Sequence, residues 1–264
     1  MTHKRLWAAF VFVLVSSFAV LGYYGYEIYR QAPPYPSEVF SSDGNRLFTG
    51  DDIRNGMNVW QSIGGQEVGS IWGHGAYVAP DWSADWLHRE STYMAEKMAL
   101  AEYGSGFSSL DPERKSLIQA RLQGELRKNT YDVETGRITV SVLRAEAIRH
   151  VANHYRGLFM NDAELGSLRE AYAIPANTIR DPERMRLMNA FFFWTSWAAV
   201  TERPGEQVTY TNNWPPDKLV GNVPSPSLIL WTGFSVILLL VGIAILASYY
   251  AVNRDDHIDT EHLP

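Results

Sequence analysis

Two long stretches without a single charged residue, 6–26 and 228–252, constrain this 264-residue chain more than anything else in it. About 20 helical residues cross the ~30 Å hydrocarbon layer of a bilayer, and these stretches hold 21 and 25. Fourteen Leu, Ile, Val and Phe in the second favour insertion by roughly 4 to 8 kcal/mol. The first has too long an apolar run for a cleaved signal peptide and no small-x-small cleavage site, so it reads as a retained anchor. Tyr23, Tyr24, Tyr26 and Tyr29, and Trp231, Tyr249 and Tyr250 in the second stretch, have the character of interfacial aromatic belts. Lys4 and Arg5 hold the amino terminus in the cytoplasm. The expected order is an anchor at 1–26, an exported region at 27–227, a second span at 228–252 and a cytoplasmic tail at 253–264. Neither span contains Asp, Glu, Lys, Arg or His, the side chains that an intramembrane haem, proton relay or ion site uses.

Composition removes further classes. With no cysteine, the chain has no disulfide framework, thiolate zinc site, iron-sulfur cluster or covalently attached c-type haem, all of which need cysteine sulfur. A net charge of -6 argues against nucleic acid, whose phosphates demand clustered Lys and Arg.

The exported region starts with a stiff, proline-rich exit at 31–36 (QAPPYP). Asp43-Gly44 predicts a hairpin over 39–48, and residues 134–136 (ETG) predict a second over 131–142. Helices account for most of the rest. Asp111 before Pro112 and Asp181 before Pro182 pair an N-cap with proline at the first helical position. The second of these helices runs through Phe191, Phe192 and Trp194 toward Ala199 and is expected to stop at 203–205 (RPG). Apolar residues at three and four spacing predict helices over 85–103, 143–157 and 162–172. Beyond Gly205 the density of Pro and Asn predicts an irregular path over 206–227, on the surface or over a neighbouring subunit.

Four constellations invite functional readings. His150 and His154 stand at i and i+4, a metal-binding spacing without the Glu of His-Glu-x-x-His or an evident third ligand. The run 64–75 (GGQEVGSIWGHG) lacks the Lys-Ser or Lys-Thr of a phosphate loop. It reads either as a structural loop or as a source of carbonyls for a hard cation such as calcium. Trp60, Trp72, Trp82, Trp86, Trp194, Trp197 and Trp214 form either core or a docking surface. His74, Asp81, Asp85, His88 and Glu90 are close in sequence, but a catalytic pair is defined by distance.

Residues 58–65 (NVWQSIGG), 73–82 (GHGAYVAPDW) and 85–90 (DWLHRE), with 193–197 (FWTSW) and 210–216 (YTNNWPP), resemble the amino-terminal part of quinol-dependent nitric oxide reductases. The resemblance covers nearly the whole chain. It implies a mainly α fold: a membrane-anchored, cytochrome-c-like periplasmic domain with small β-hairpins, flanked by two transmembrane helices, in the bacterial inner membrane. In haem-bearing relatives a Cys-x-x-Cys-His motif ends four residues before Gly-Glu-Gly-Ala-Tyr. Counting back from residues 73–77 puts the lost thiols at Gly65 and Val68 and the lost imidazole at Gly69. The resemblance also implies that backbone carbonyls of Gly75 and Tyr77 contribute to a calcium completed by a partner. Haem b, haem b3, a non-haem iron and the quinol site are expected only on a haem-bearing membrane bundle, either a partner subunit or downstream sequence.

The expected activity of the whole assembly is reduction of two NO to N2O and water, with this chain as a structural cap without a catalytic centre of its own. A split subunit, a truncated product and a fragment all accommodate an end at Pro264. Two other classes stay open: a membrane-anchored periplasmic binding or sensory module, and a metal-dependent hydrolase centred on His150 and His154.

Overall fold

The computed structural model describes residues 3–258. The chain divides into two compact units, Met1–Val223 and Pro224–Pro264. The second is carried by one helix, here α8 (Pro226–Ile258), whose apolar side chains are exposed along the predicted span. It continues past residue 252, through six residues of the expected tail, whose remainder lies outside the described residues. The first unit begins with α1 (His3–Arg30), longer than the uncharged stretch at both ends. Both helices are long and apolar enough to cross a membrane.

After α1, Pro33, Pro34 and Pro36 carry the chain into β1 (Glu38–Ser41), which pairs antiparallel with β2 (Arg46–Thr49). Asp43 closes the intervening turn by accepting from the Asn45 amide at 3.3 Å. The second expected hairpin is β5 (Tyr131–Asp132) with β6 (Arg137–Val140). The two are not separate. β1 and β6 pair in parallel, with Val39 opposite Ile138, giving one four-stranded sheet in the order β2-β1-β6-β5. Pairing puts Val39, Phe48, Ile138 and Val140 into the core, which neither hairpin could cover alone.

Sequence periodicity missed α2 (Gly50–Ser62). Its start is encoded by Thr49 and Asp52: the Thr49 side chain accepts from the Asp52 amide, and the Asp52 carboxylate from the Thr49 amide, at 3.1 and 2.8 Å. Asp52 also accepts from Arg186 at 2.6 Å, and this guanidinium holds its carboxyl down to about 2. A carboxyl more acidic in the folded state stabilises the fold above its unfolded value, near 4, and loses that contribution as pH falls toward 2. Asp52→Ala is therefore expected to cost about 1 to 2 kcal/mol at neutral pH, with the gap from the parent closing in urea titrations between about pH 4 and pH 2.

The remaining helices are α3 (Trp82–Tyr103), α4 (Pro112–Arg127), α5 (Val142–Phe159), α6 (Gly166–Ala171) and α7 (Pro182–Val200). Asp111 and Asp181 cap α4 and α7 as expected. α3 starts three residues earlier than its apolar pattern, because Asp81 accepts from the Ala84 amide. The stretch predicted as one helix over 162–172 is a 3-10 turn followed by the short α6.

α7 is the hub of the fold. Every residue from Met188 to Val200 is buried, as a helix enclosed on all sides requires. α2 packs along it most extensively, followed by α3. At their crossing Gly56 admits the α7 backbone, since a Cβ there would lie 2.7 Å from the Leu187 carbonyl carbon and 2.9 Å from Phe191 Cβ. α7 stops at Val200 rather than at 203–205, because Thr201 turns extended and its carbonyl accepts from the Tyr210 amide.

The path beyond is irregular but firmly tied. Arg127 donates to Glu202 Oε1 and Asn222 Oδ1, both at 2.9 Å, and Asn222 donates to the Ala199 carbonyl at 2.8 Å. Five of the seven extramembrane tryptophans, Trp60, Trp82, Trp86, Trp194 and Trp197, are buried. For these five the core alternative holds, not the docking surface. Trp72 is half-buried and Trp214 exposed.

Candidate functional site

The glycine-rich run folds into a compact, cross-tied loop ahead of α3. Gly65 opens a 3-10 turn (Gly65–Glu67), and β3 (Ser70–Ile71) then pairs antiparallel with β4 (His74–Gly75). The Ala76 amide donates to the Gln66 carbonyl at 2.6 Å and closes the loop. The Trp72 indole, donating to the Thr195 carbonyl at 2.8 Å, pins it to α7.

Asp81 organises the rest. One carboxylate oxygen accepts from Ser70 Oγ at 2.9 Å and the Gly73 amide at 2.6 Å. The other accepts from Ser83 Oγ and from the Ala84 amide. A single side chain thus both caps α3 and fixes the loop, a role that its place before Trp82 signals only as an N-cap.

The three positions that the resemblance aligns with a haem attachment motif lie on this loop. Gly65 is buried, Val68 packs half-buried against the core, and Gly69 is buried. The surroundings of Gly69 are the most informative. A Cβ there would lie 2.7 Å from the Pro80 carbonyl oxygen and 2.9 Å from Trp82 Cε2. The Trp82 indole fills the space into which a side chain at 69 would grow. It is fully buried and stacks on Phe192 with centroids 5.7 Å apart, with Phe159 at 5.4 Å and Tyr155 at 5.9 Å. Aromatic packing of this kind gives about 0.5 to 1.5 kcal/mol per pair beyond burial. The resemblance located Gly69, but nothing in the sequence alone indicated which residue faces it.

Gly75 and Tyr77 are placed differently. Gly75 sits in β4 at φ 143°, close to the Gly69 and Gln66 carbonyls. Tyr77 is 87% exposed, and its carbonyl accepts no hydrogen bond among the described residues. Oxygen donors suit calcium, which takes six to eight of them. Two carbonyls fit that ion in kind but fall short in number, and the nearby Asp81 carboxylate is engaged in four hydrogen bonds. Among the described residues no group of three His, Cys, Asp or Glu converges. Beside this loop Tyr77, Val78 and Trp214 are exposed, and a Cβ at Gly73 would sit 3.0 Å from the Trp214 indole nitrogen.

The other singled-out residues do not converge. His74 contacts the Trp72 carbonyl, and His88 approaches Asp217 at 3.3 Å on the surface. Asp85 accepts from Tyr155 Oη at 2.6 Å and Arg89 Nε at 2.7 Å. Burial, with Asp85 alongside, pushes the Tyr155 phenol well above its ordinary range. Glu90 lies in the core on Arg144 at 2.6 Å and Trp86 Nε1 at 2.9 Å. His150 stacks on Tyr93 with centroids 4.3 Å apart, whereas half-buried His154 lies edge-on to Tyr155. Burial, then the Arg89 charge, holds the His154 imidazole below its ordinary value.

A mainly helical domain with a loop of this kind lies in the sequence between two helices long and apolar enough to cross a membrane. The family of nitric oxide reductase NorB cytochrome c-like domains matches residues 36–216. The chain belongs to this family. Comparison with curated proteins returned no match.

Proposed function

We propose that this chain is the haem-free, cytochrome-c-like cap of a quinol-driven nitric oxide reductase, anchored in the bacterial inner membrane with residues 27–227 in the periplasm. Electrons from quinol then enter through the haem-bearing membrane bundle, because the domain offers neither thiolate nor imidazole at the old attachment positions. The observation that carries this reading is the Trp82 indole beside Gly69. A haem-binding histidine at 69 would require that ring to leave a core of Phe192, Phe159 and Tyr155.

The cap reading assigns the loop at 73–78 to contact with the membrane bundle. Gly75 and Tyr77 would lend two carbonyls to a calcium whose other ligands come from that bundle, and Tyr77, Val78 and Trp214 would lie against it. When bound, the ion would clamp the two parts together, while Asp81 holds the loop in register.

Purification of the tagged chain from native membranes tests the proposal. The expected result is co-purification with a b-haem spectrum, quinol-dependent NO consumption by the complex, and no covalently bound haem on this polypeptide. A stoichiometric covalent haem on the chain, or isolation without any b-haem partner, rejects it.

A further inference from the structure

A cleft of about 350 Å³ opens where α1 ends, lined among others by Arg30, Gln31, Tyr131, Arg203, Glu206 and Tyr210. Arg203 lines it and is only 9% exposed. Its Nη1 donates to Gln31 Oε1 at 2.6 Å and reaches Glu206 Oε2 at 3.3 Å, and its Nη2 donates to Asn212 Oδ1. Its Nε is buried with no acceptor. Arg30 pairs with Glu27 at 2.8 Å and is exposed.

The position of the cleft gives the ligand class. Tyr23, Tyr24, Tyr26 and Tyr29 are all exposed on the last two turns of α1. Rings of this kind settle at the headgroup level of a bilayer, and Arg30 follows Tyr26 by only about 6 Å of helix rise. Val133, 79% exposed, lies on the rim and offers an apolar contact to the same layer. The charges are matched rather than uniform: Arg203 pairs with Glu206 at 3.3 Å and Arg30 with Glu27 at 2.8 Å. A phosphodiester suits the guanidinium groups, and an ammonium group suits Glu206 and the aromatic lining residues Tyr131 and Tyr210. A purely anionic headgroup would meet Glu206 as a like charge.

We propose that this cleft binds the headgroup of a zwitterionic, primary-amine phospholipid of the ethanolamine type. The inference rests on α1 spanning the membrane. Seating such a lipid would fix the domain against the bilayer surface at a second point, through residues 131–133 and 203–210 as well as α1.

The test uses the full chain in nanodiscs of phosphatidylcholine containing a minor fraction of phosphatidylethanolamine, with retained lipids read by native mass spectrometry. The parent is expected to retain the ethanolamine lipid well above its bulk fraction. Arg30→Ala and Glu206→Gln, both at exposed side chains, are each expected to reduce that retention by about tenfold without altering thermal stability. Equal retention of choline or glycerol phospholipids, or unchanged retention in both variants, overturns the proposal. Displacement of the lipid by inorganic phosphate at millimolar concentration would reduce the cleft to a phosphate site and overturn it as well. Failure of the parent chain to enter nanodiscs would instead reject the membrane reading of α1, and this proposal with it.

Discussion

Arg144→Ala is expected to lower the unfolding free energy by about 3 to 5 kcal/mol. Arg144 and Glu90 are almost completely buried and bonded at 2.6 Å. The second Glu90 oxygen takes the Trp86 indole N–H, and the guanidinium lies 5.8 Å from the Phe193 ring centroid. Removing Arg144 strands a carboxylate in a region of Leu, Met and aromatic side chains, where one neutral donor is poor compensation. The double variant Arg144→Met/Glu90→Gln removes both charges together and is expected to lie within about 1.5 kcal/mol of the parent. Urea denaturation of the full chain, followed by tryptophan fluorescence, measures all three. A single variant within 1 kcal/mol of the parent would show that the charges are hydrated or already mobile.

The second large effect is expected at Gly69 and Trp82. Trp82→Ala opens a cavity beneath the loop and costs about 3 to 5 kcal/mol. Gly69→His forces an imidazole into occupied space and costs about 1 to 3 kcal/mol. Because the two side chains compete for one volume, the double variant Gly69→His/Trp82→Ala should be more stable than the sum of the single losses predicts, by about 0.5 to 3 kcal/mol. Strict additivity would mean that the imidazole finds another way out of the loop. The same double variant incubated with haem also shows whether steric exclusion alone blocks iron ligation or whether the missing thiols matter as much.

Much of this arrangement was legible in the residues, and what was hidden has identifiable causes. Asp111-Pro112 and Asp181-Pro182 announce their helices because an N-cap and a fixed φ act locally. Asp43-Gly44 likewise announces its turn. The parallel joint between β1 and β6 was invisible, since it links strands about a hundred residues apart and no local pattern encodes a partner. α2 was overlooked because Gly50 and Gly56 take two of the positions on its buried face, and its start depends on a two-residue reciprocal bond. For the candidate site, Gly65, Val68, Gly69, Gly75 and Tyr77 were singled out only through spacing relative to a family motif. That Trp82 fills the space beside Gly69, and that Asp81 holds the loop, depends on side chains meeting in three dimensions. The tryptophans were ambiguous for the same reason: composition gives their number, whereas α7 and the aromatic residues around it decide how many are hidden.

The central place of α7 carries a cost during synthesis. Nearly every other element of the domain precedes it in the chain, yet α2, α3 and α5 all lay apolar side chains against it. At about 5 to 20 residues per second, the ribosome finishes α7 on the order of 10 s after α2 emerges. Over that interval the exposed faces of the earlier helices have nothing to close on. Until α7 arrives the chain stays open to aggregation through those faces, and mutations that slow docking of α7 are expected to appear first as lost yield of folded protein.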